Sequence, residues 1–296
     1  MPPRYATTED YVCLEARGPA AGAFLHGQLS QTIEPLPQDF APLAGWHDAR
    51  GRVRALFRVV RLGDRFVLVT ARDGAEQVLK RLRMFVLRAA VTLDFAVDLT
   101  LGAVMGAEGI WLEGRGLPAA AAPGTCRTVG PLTWIAIGTG YWQVLGPAED
   151  LAALAAELPQ AEPGAVAVAE IELGLPLITA GLVDRFVGQM LNLDALGALA
   201  FDKGCYPGQE IVARVHHLSD VKRRARRFAA PTATPLETGT TVATASGAGV
   251  GEVIRSAPAA PGVEVLAIID NAAASVPLTA GGAALRELPL PFALPS

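Results

Sequence analysis

The chain has 296 residues, of which 51% are hydrophobic, a formal charge of −4 and three cysteines. That length points to about two or three domains rather than one small core. The negative balance excludes a general polyanion-binding surface, and Cys13, Cys126 and Cys205, far apart and without CxxC spacing, exclude a disulfide framework and a self-contained zinc site.

The stretch 1–10 is polar and lacks an apolar signal core. No apolar run reaches the ~20 residues that span a bilayer, so a cytoplasmic protein in a reducing compartment, without membrane contact, is expected. Residues 11–16 alternate as a strand with Val12 and Leu14 on one face, and 20–30 follow as a short helix with Phe24, Leu25 and Leu29 at helical spacing. Residues 48–52 have turn chemistry. Strands over 53–62 and 65–71 flank a turn at Gly63 and Asp64. Asp73 is placed to cap a helix running to about Arg83, and 86–93 read as a returning strand.

The pattern restarts with strands over 101–105, 133–137 and 142–145 and a helix over 148–158 closed by Pro159; the Ala/Pro/Gly-rich 117–124 is a loop. After a composition break at 231–239, short strands over 241–245, 250–255 and 263–270 read as a small barrel or sandwich. Strands and helices intermix without a regular βαβ repeat, which makes the class α+β.

The densest chemistry lies in Lys203-Gly204-Cys205-Tyr206-Pro207-Gly208-Gln209-Glu210. The two glycines free the backbone around Cys205, Pro207 stiffens it, and Gly208 is placed to start a helix with Ile211, Val212 and Val215 inward. Lys203 and that helix N-terminus would favour a thiolate. The bland alternative is a cysteine filling an apolar gap, which a polar, Gly-rich setting disfavours. Cys13, mid-strand, reads as packing, and Cys126 as incidental. His216 and His217 would make a Cys–His nucleophilic pair if a turn closed the distance; adjacent side chains diverge and no orienting Asn or Asp is identifiable, so solvated histidines are the preferred reading. Lys222, Arg223, Arg224, Arg226 and Arg227 form one basic run, either a phosphate-facing patch for RNA or a polyglutamate tail, or a solvated linker.

The octapeptide resembles the KGCYTGQE motif of the YgfZ family, folate-binding relatives of the glycine-cleavage aminomethyltransferase. Phe24 to Ser30 resembles that family's FLQGQLT-type helix, His47 to Arg52 its HCDAKGK turn, Ile171 to Pro176 its IEAGxP segment, and Leu288 to Phe292 its LPLPY-like tail; Asn192-Leu193 and the run 201–214 also agree. The resemblance implies an aminomethyltransferase-like α+β fold of three domains in a ring. Those are a discontinuous folate-binding domain over 1–100 and 163–228, a ferredoxin-like domain over 101–162, and a C-terminal β-barrel over 229–296. It further implies a monomer that binds tetrahydrofolate or a one-carbon derivative and supports assembly or repair of iron–sulfur enzymes, including one that thiomethylates tRNA. Carried over by position, Cys205 and Lys203 take the chemical role, and Glu172, Tyr11, Asp48, Gly204, Tyr206 and Arg214 the folate contacts.

Two departures bear on activity. The Asp-Asp pair that supplies the aminomethyltransferases' catalytic carboxylate corresponds here to Arg54 and Ala55, and arginine accepts no proton at ordinary pH. Tryptophans that flank folate in close relatives correspond to Tyr11 and Val166. An accessory protein is therefore the leading expectation. The alternative is a folate-dependent one-carbon transferase or demethylase with a rearranged base such as Asp48, and a third reading has the basic run contact tRNA.

Overall fold

The computed structural model describes residues 2–218 and 221–295, with the backbone alone for 217 and 218. The first strand, β1 (Arg4–Thr7), leaves the segment that follows it and pairs with a later sheet. The next elements are β2 (Tyr11–Arg17), α1 (Ala21–Gln28), β3 (Leu43–His47), β4 (Val53–Leu62), β5 (Arg65–Ala71), α2 (Ala75–Arg83) and β6 (Thr92–Phe95). Their strands form an antiparallel sheet in the order β3-β4-β5-β2-β6. Strand β4 is covered on both faces: Ala55, Phe57 and Val59 pack with α1 and α2, while Leu56 and Val60, beside Arg58, face the rest of the molecule.

A second sheet uses β7 (Thr100–Met105), α3 (Ile110–Glu113), β8 (Cys126–Val129), β9 (Leu132–Gly138), β10 (Tyr141–Gly146) and α4 (Ala148–Glu157). Its order is β1-β7-β10-β9-β8. The β7–α3–β9–β10–α4 course is the ferredoxin-like part, with β1 at the edge beside β7, so residues 4–7 belong here rather than to the first domain. Val60, Val67 and Val69 of the first sheet pack directly on Leu101, Ile135, Ile137 and Leu145 of the second.

Next, α5 (Ala165–Glu172) and α6 (Gln209–Leu218) lead into β11 (Arg223–Ala230), β12 (Thr241–Thr244), β13 (Gly249–Ala259), β14 (Gly262–Asp270), β15 (Leu278–Ala280) and β16 (Ala283–Leu288). These six strands close into a barrel in the order β11-β14-β13-β12-β15-β16, which leaves no open edge. The barrel begins at Arg223, so the basic run is its first strand and not a linker. No helix among the described residues is long and apolar enough to cross a membrane.

Two local expectations fail for identifiable reasons. Gly74, with φ of 83°, precedes α2, and the Asp73 carboxylate instead accepts from the Ala180 backbone N–H at 3.0 Å. Residues 84–90 turn at the surface, with Leu87 at φ of 46°, so the returning strand is only Thr92–Phe95.

The three β units meet at one side chain. Glu170 on α5 is 1% exposed. Its Oε1 accepts from Tyr11 of the first sheet at 2.7 Å and from Tyr141 of the second at 2.9 Å, and its Oε2 from Arg255 of the barrel at 2.5 Å. Burial, then the Glu170 charge, pushes both phenols well above the usual tyrosine range, so they serve as donors. Glu170→Gln removes the charge opposite a buried guanidinium and is expected to lower the unfolding free energy by about 3–5 kcal/mol in urea titrations; a loss under ~1 kcal/mol, the worth of an exposed pair, would show the junction to be dispensable.

Candidate functional site

Gly208 explains how two of the sequence motifs form one structure. Its φ is +80°, and a Cβ there would stand 2.3 Å from the Asp48 carbonyl oxygen and 2.8 Å from Gly51 N and Cα. Only glycine lets the Cys205 loop close on the 48–51 turn. The turn is itself held by Asp48, whose Oδ1 accepts from Arg50 N and Arg52 N, each at 2.8 Å. Asp48 is thus a turn-forming acceptor. Gly204 has no such constraint, since a Cβ there meets nothing within 4 Å.

Lys203 anchors the other end of the loop. Its Nζ donates to the carbonyls of His26, of Leu29 at 2.6 Å and of Gln31 at 3.1 Å, at the end of α1. Burial pushes its pKa down to about 8, but three carbonyls at a helix C-terminus hold the proton on. The ammonium is directed into α1, not presented as an activator of Cys205. It also lies 5.2 Å from the ring centroid of Tyr206, which is buried with its hydroxyl unpartnered. Between these anchors Cys205 is exposed. Cys13 and Cys126 are buried, and burial raises their pKa values to about 12 and about 11. Of the three thiols, only Cys205 is exposed.

Behind the loop lies His47, 0% exposed and 6.0 Å from Tyr206 between ring centroids. Its Nδ1 is 3.2 Å from the Gly51 carbonyl oxygen, which fixes the proton on Nδ1 and leaves Nε2 as an unpartnered acceptor. On α6, Arg214 pairs with Glu210 at 2.8 Å on the surface, and His216 stacks on Phe201 at 3.8 Å. The His217 side chain lies outside the described residues.

Of the expected folate contacts, Asp48, Gly204 and Tyr206 come together at the Cys205 loop, while Tyr11, Glu172 and Arg214 lie elsewhere. The Glu172 carboxylate is paired with Arg227 at 2.9 Å. Glu170 and Tyr11 instead line a central cavity of about 40 Å³ between the two sheets, with Arg58 and Gln143. Glu170 was not singled out by motif; its signal is a glutamate one turn after Val166 on the buried face of α5. The basic run is largely neutralised in place. Arg224 is 2% exposed and pairs with Asp194 at 2.9 Å; Arg226 pairs with Glu287 at 2.8 Å, and Arg227 with Glu264 at 2.7 Å. Of the five cations only Lys222 and Arg223 are exposed, too few for the phosphate-facing patch.

No protein-family model matches the chain. It is 30% identical over 217 residues to the tRNA-modifying protein YgfZ of Edwardsiella ictaluri, covering 71% of this chain and 66% of that one. The identity to the protein of the same name from Cronobacter sakazakii is 28% over 230 residues, covering 75% and 70%. For that of Colwellia psychrerythraea it is 27% over 219 residues, covering 72% and 68%. The chain belongs to the YgfZ family. The solved glycine cleavage system aminomethyltransferase T of Bartonella henselae superposes with a TM-score of 0.73 at 16% identity, covering 99% of this chain and 86% of that one. That likeness establishes an aminomethyltransferase-like fold.

The positions that correspond to the aminomethyltransferases' catalytic Asp-Asp pair are occupied in this YgfZ-family chain by Arg54 and Ala55. Arg54 pairs with Asp184 at 3.0 Å, and Ala55 is buried with α1 and α2. The central cavity is also smaller than a usual small-molecule site. About 40 Å³ accommodates groups the size of one or two waters, whereas small-molecule sites are roughly 300–1,000 Å³. The carboxylate that would meet a pterin edge already accepts three hydrogen bonds. A neighbouring cleft of about 340 Å³ shares Tyr11, but its lining carries Glu9, Asp10 and Glu162 and no basic residue, which opposes an anionic glutamate tail.

His47 gives the site a pH signature. Burial lowers its pKa from 6.5 to about 4, so the folded state resists a proton that the unfolded chain takes. The stabilisation is complete above pH ~6.5 and is lost as pH falls from ~6.5 to ~4, by about 3 kcal/mol. Urea titrations at pH 7 and 4.5 are expected to show this fall, and His47→Gln to flatten it; an equal fall in both proteins would assign the acid sensitivity elsewhere.

Proposed function

We propose that this chain is a non-catalytic accessory protein of tRNA modification that supports the assembly or repair of iron–sulfur enzymes by presenting Cys205 to a partner. The observation that carries this reading is the contrast among the three cysteines: two are buried with raised pKa values, and Cys205 is exposed on a loop fixed at both ends. A thiol on a pinned loop meets a partner with little ordering cost. The relatives' name, tRNA-modifying protein, supports the setting.

The surroundings of Cys205 favour presentation over catalysis. Lys203 is held by the α1 carbonyls, Asp48 by its own turn, and Arg54 by Asp184. None of the three is positioned as a general base for transfer of a one-carbon unit. The fold and the family are folate-associated, and a bound folate would have to enlarge the central cavity beyond its volume of about 40 Å³. In a strain lacking the endogenous gene, the Cys205→Ala protein, produced at wild-type level, is expected to leave the tRNA thiomethylation defect uncorrected. Full correction by that variant would refute the role of the thiol.

A further inference from the structure

The turn after α2 carries large apolar side chains that the fold does not cover. Met84 is 69% exposed, Phe85 41% and Leu87 88%. Leu87 has φ of +46°, a region that leucine rarely adopts, and its exposed side chain gains no packing in return. A single exposed hydrophobe is ordinary, whereas a cluster of three on a strained turn marks an interaction surface.

The turn is set in positive charge. Between Gln77 and Leu93 the chain carries Lys80, Arg81, Arg83 and Arg88, all exposed, and no acid, although the whole protein has a charge of −4. Phe85 packs edge-on to Trp46 at 6.0 Å between ring centroids, and Arg54 lies over the same indole at 5.4 Å. Arg54 and Arg81 share the carboxylate of Asp184 at 3.0 and 3.3 Å, and Arg52 donates to the Asp184 carbonyl oxygen at 3.2 Å. Arg83 pairs with the exposed Asp94 at 3.2 Å, while Lys80 and Arg88 make no ion pair among the described residues. A surplus of cations therefore surrounds the apolar turn. The same surface continues to the thiol, because Arg52 follows Gly51, and a Cβ on Gly208 of the Cys205 loop would stand 2.8 Å from the Gly51 Cα.

An apolar turn ringed by guanidiniums complements carboxylates interleaved with large apolar side chains, since carboxylates take up the arginine forks while the apolar groups cover Met84, Phe85 and Leu87. Nucleic acid would use the cations and leave the aliphatic Met84 and Leu87 without a partner. We propose that the 84–88 turn, with Arg52, Arg54 and Arg81, is the docking surface for an acidic, apolar segment of the partner protein to which Cys205 is presented. The inference rests on the accessory role and adds where the partner binds and what chemistry its segment carries.

The test compares two double variants of the full chain, Met84→Ser/Leu87→Asp and Lys80→Glu/Arg88→Glu, with Cys205→Ala in the strain lacking the endogenous gene. The substituted side chains are exposed and Asp suits a positive φ better than Leu, so Tm is expected to stay within about 2 °C of wild type. Cys205 in both variants is expected to react with a soluble disulfide reagent at the wild-type rate, yet neither variant corrects the tRNA thiomethylation defect. A photocrosslinking phenylalanine analogue in place of Leu87 is expected to join a protein segment rich in Asp, Glu and large apolar residues, with the yield falling about tenfold when Lys80→Glu/Arg88→Glu is added. Full correction by either double variant, while Cys205→Ala fails, would overturn the docking surface and leave the accessory role standing. Correction by Cys205→Ala would remove the accessory role and this inference with it. A crosslink to RNA, or binding of the purified chain to phosphatidylglycerol vesicles that Met84→Ser/Leu87→Asp abolishes, would assign the turn to nucleic acid or to a membrane and overturn the proposal.

Discussion

The carboxylate of Glu170 is the point on which the molecule's three β units agree. It sits on α5, between the first sheet, the second sheet and the barrel, and each contributes a donor to it: Tyr11, Tyr141 and Arg255. A buried carboxylate demands such partners, since an unmet charge in a dry interior is far more costly than a lost contact. Once the three donors are in place, the relative setting of the units is narrowly defined. The apolar packing of the two sheets across Val60, Val67, Val69, Ile135 and Ile137 then completes the interface. The space left beside the junction is the small central cavity, whose shape and charge follow from the same assembly.

The Cys205 loop is built on a different constraint, steric rather than electrostatic. Gly208 admits the Asp48 carbonyl where any side chain would collide, and Lys203 ties the loop's other end to α1. The HDARGR turn and the KGCYPGQE loop are therefore one unit, separated by more than 150 residues of chain but formed by a single close approach. The turn contributes rigidity and the loop contributes the thiol. The carboxylates and cations nearby are committed to holding this shape, which is why the arrangement suits presentation of Cys205 better than acid–base chemistry.

Strands β4 and β5 are legible in the sequence to the residue, because their apolar runs are broken by Gly63-Asp64 and flanked by turn chemistry. The barrel is legible in its short strands and turns, and the aminomethyltransferase-like fold only through motifs. The site is legible only in part. The exposed thiol is found by its motif, but the polar core is not: Glu170 and Arg58 stand in apolar stretches, and only tertiary placement shows what they meet. The motif instead points to Glu172, two residues on and turned toward Arg227. The basic run misleads for a related reason, since a strand's charges carry no record of the acidic residues that later face them. Strand β1 is hidden because its partner lies about 100 residues away.

The family's implied folate and this chain's small, charged cavity make opposite demands on the same space. Titration calorimetry of the full-length protein with tetrahydrofolate, under anaerobic conditions, separates them most directly. The account predicts no saturable heat up to millimolar ligand, because Glu170 is fully engaged and the cavity has about 40 Å³. Saturable binding at micromolar tetrahydrofolate, lost in Glu170→Gln, would contradict it and show that the junction opens to admit a pterin.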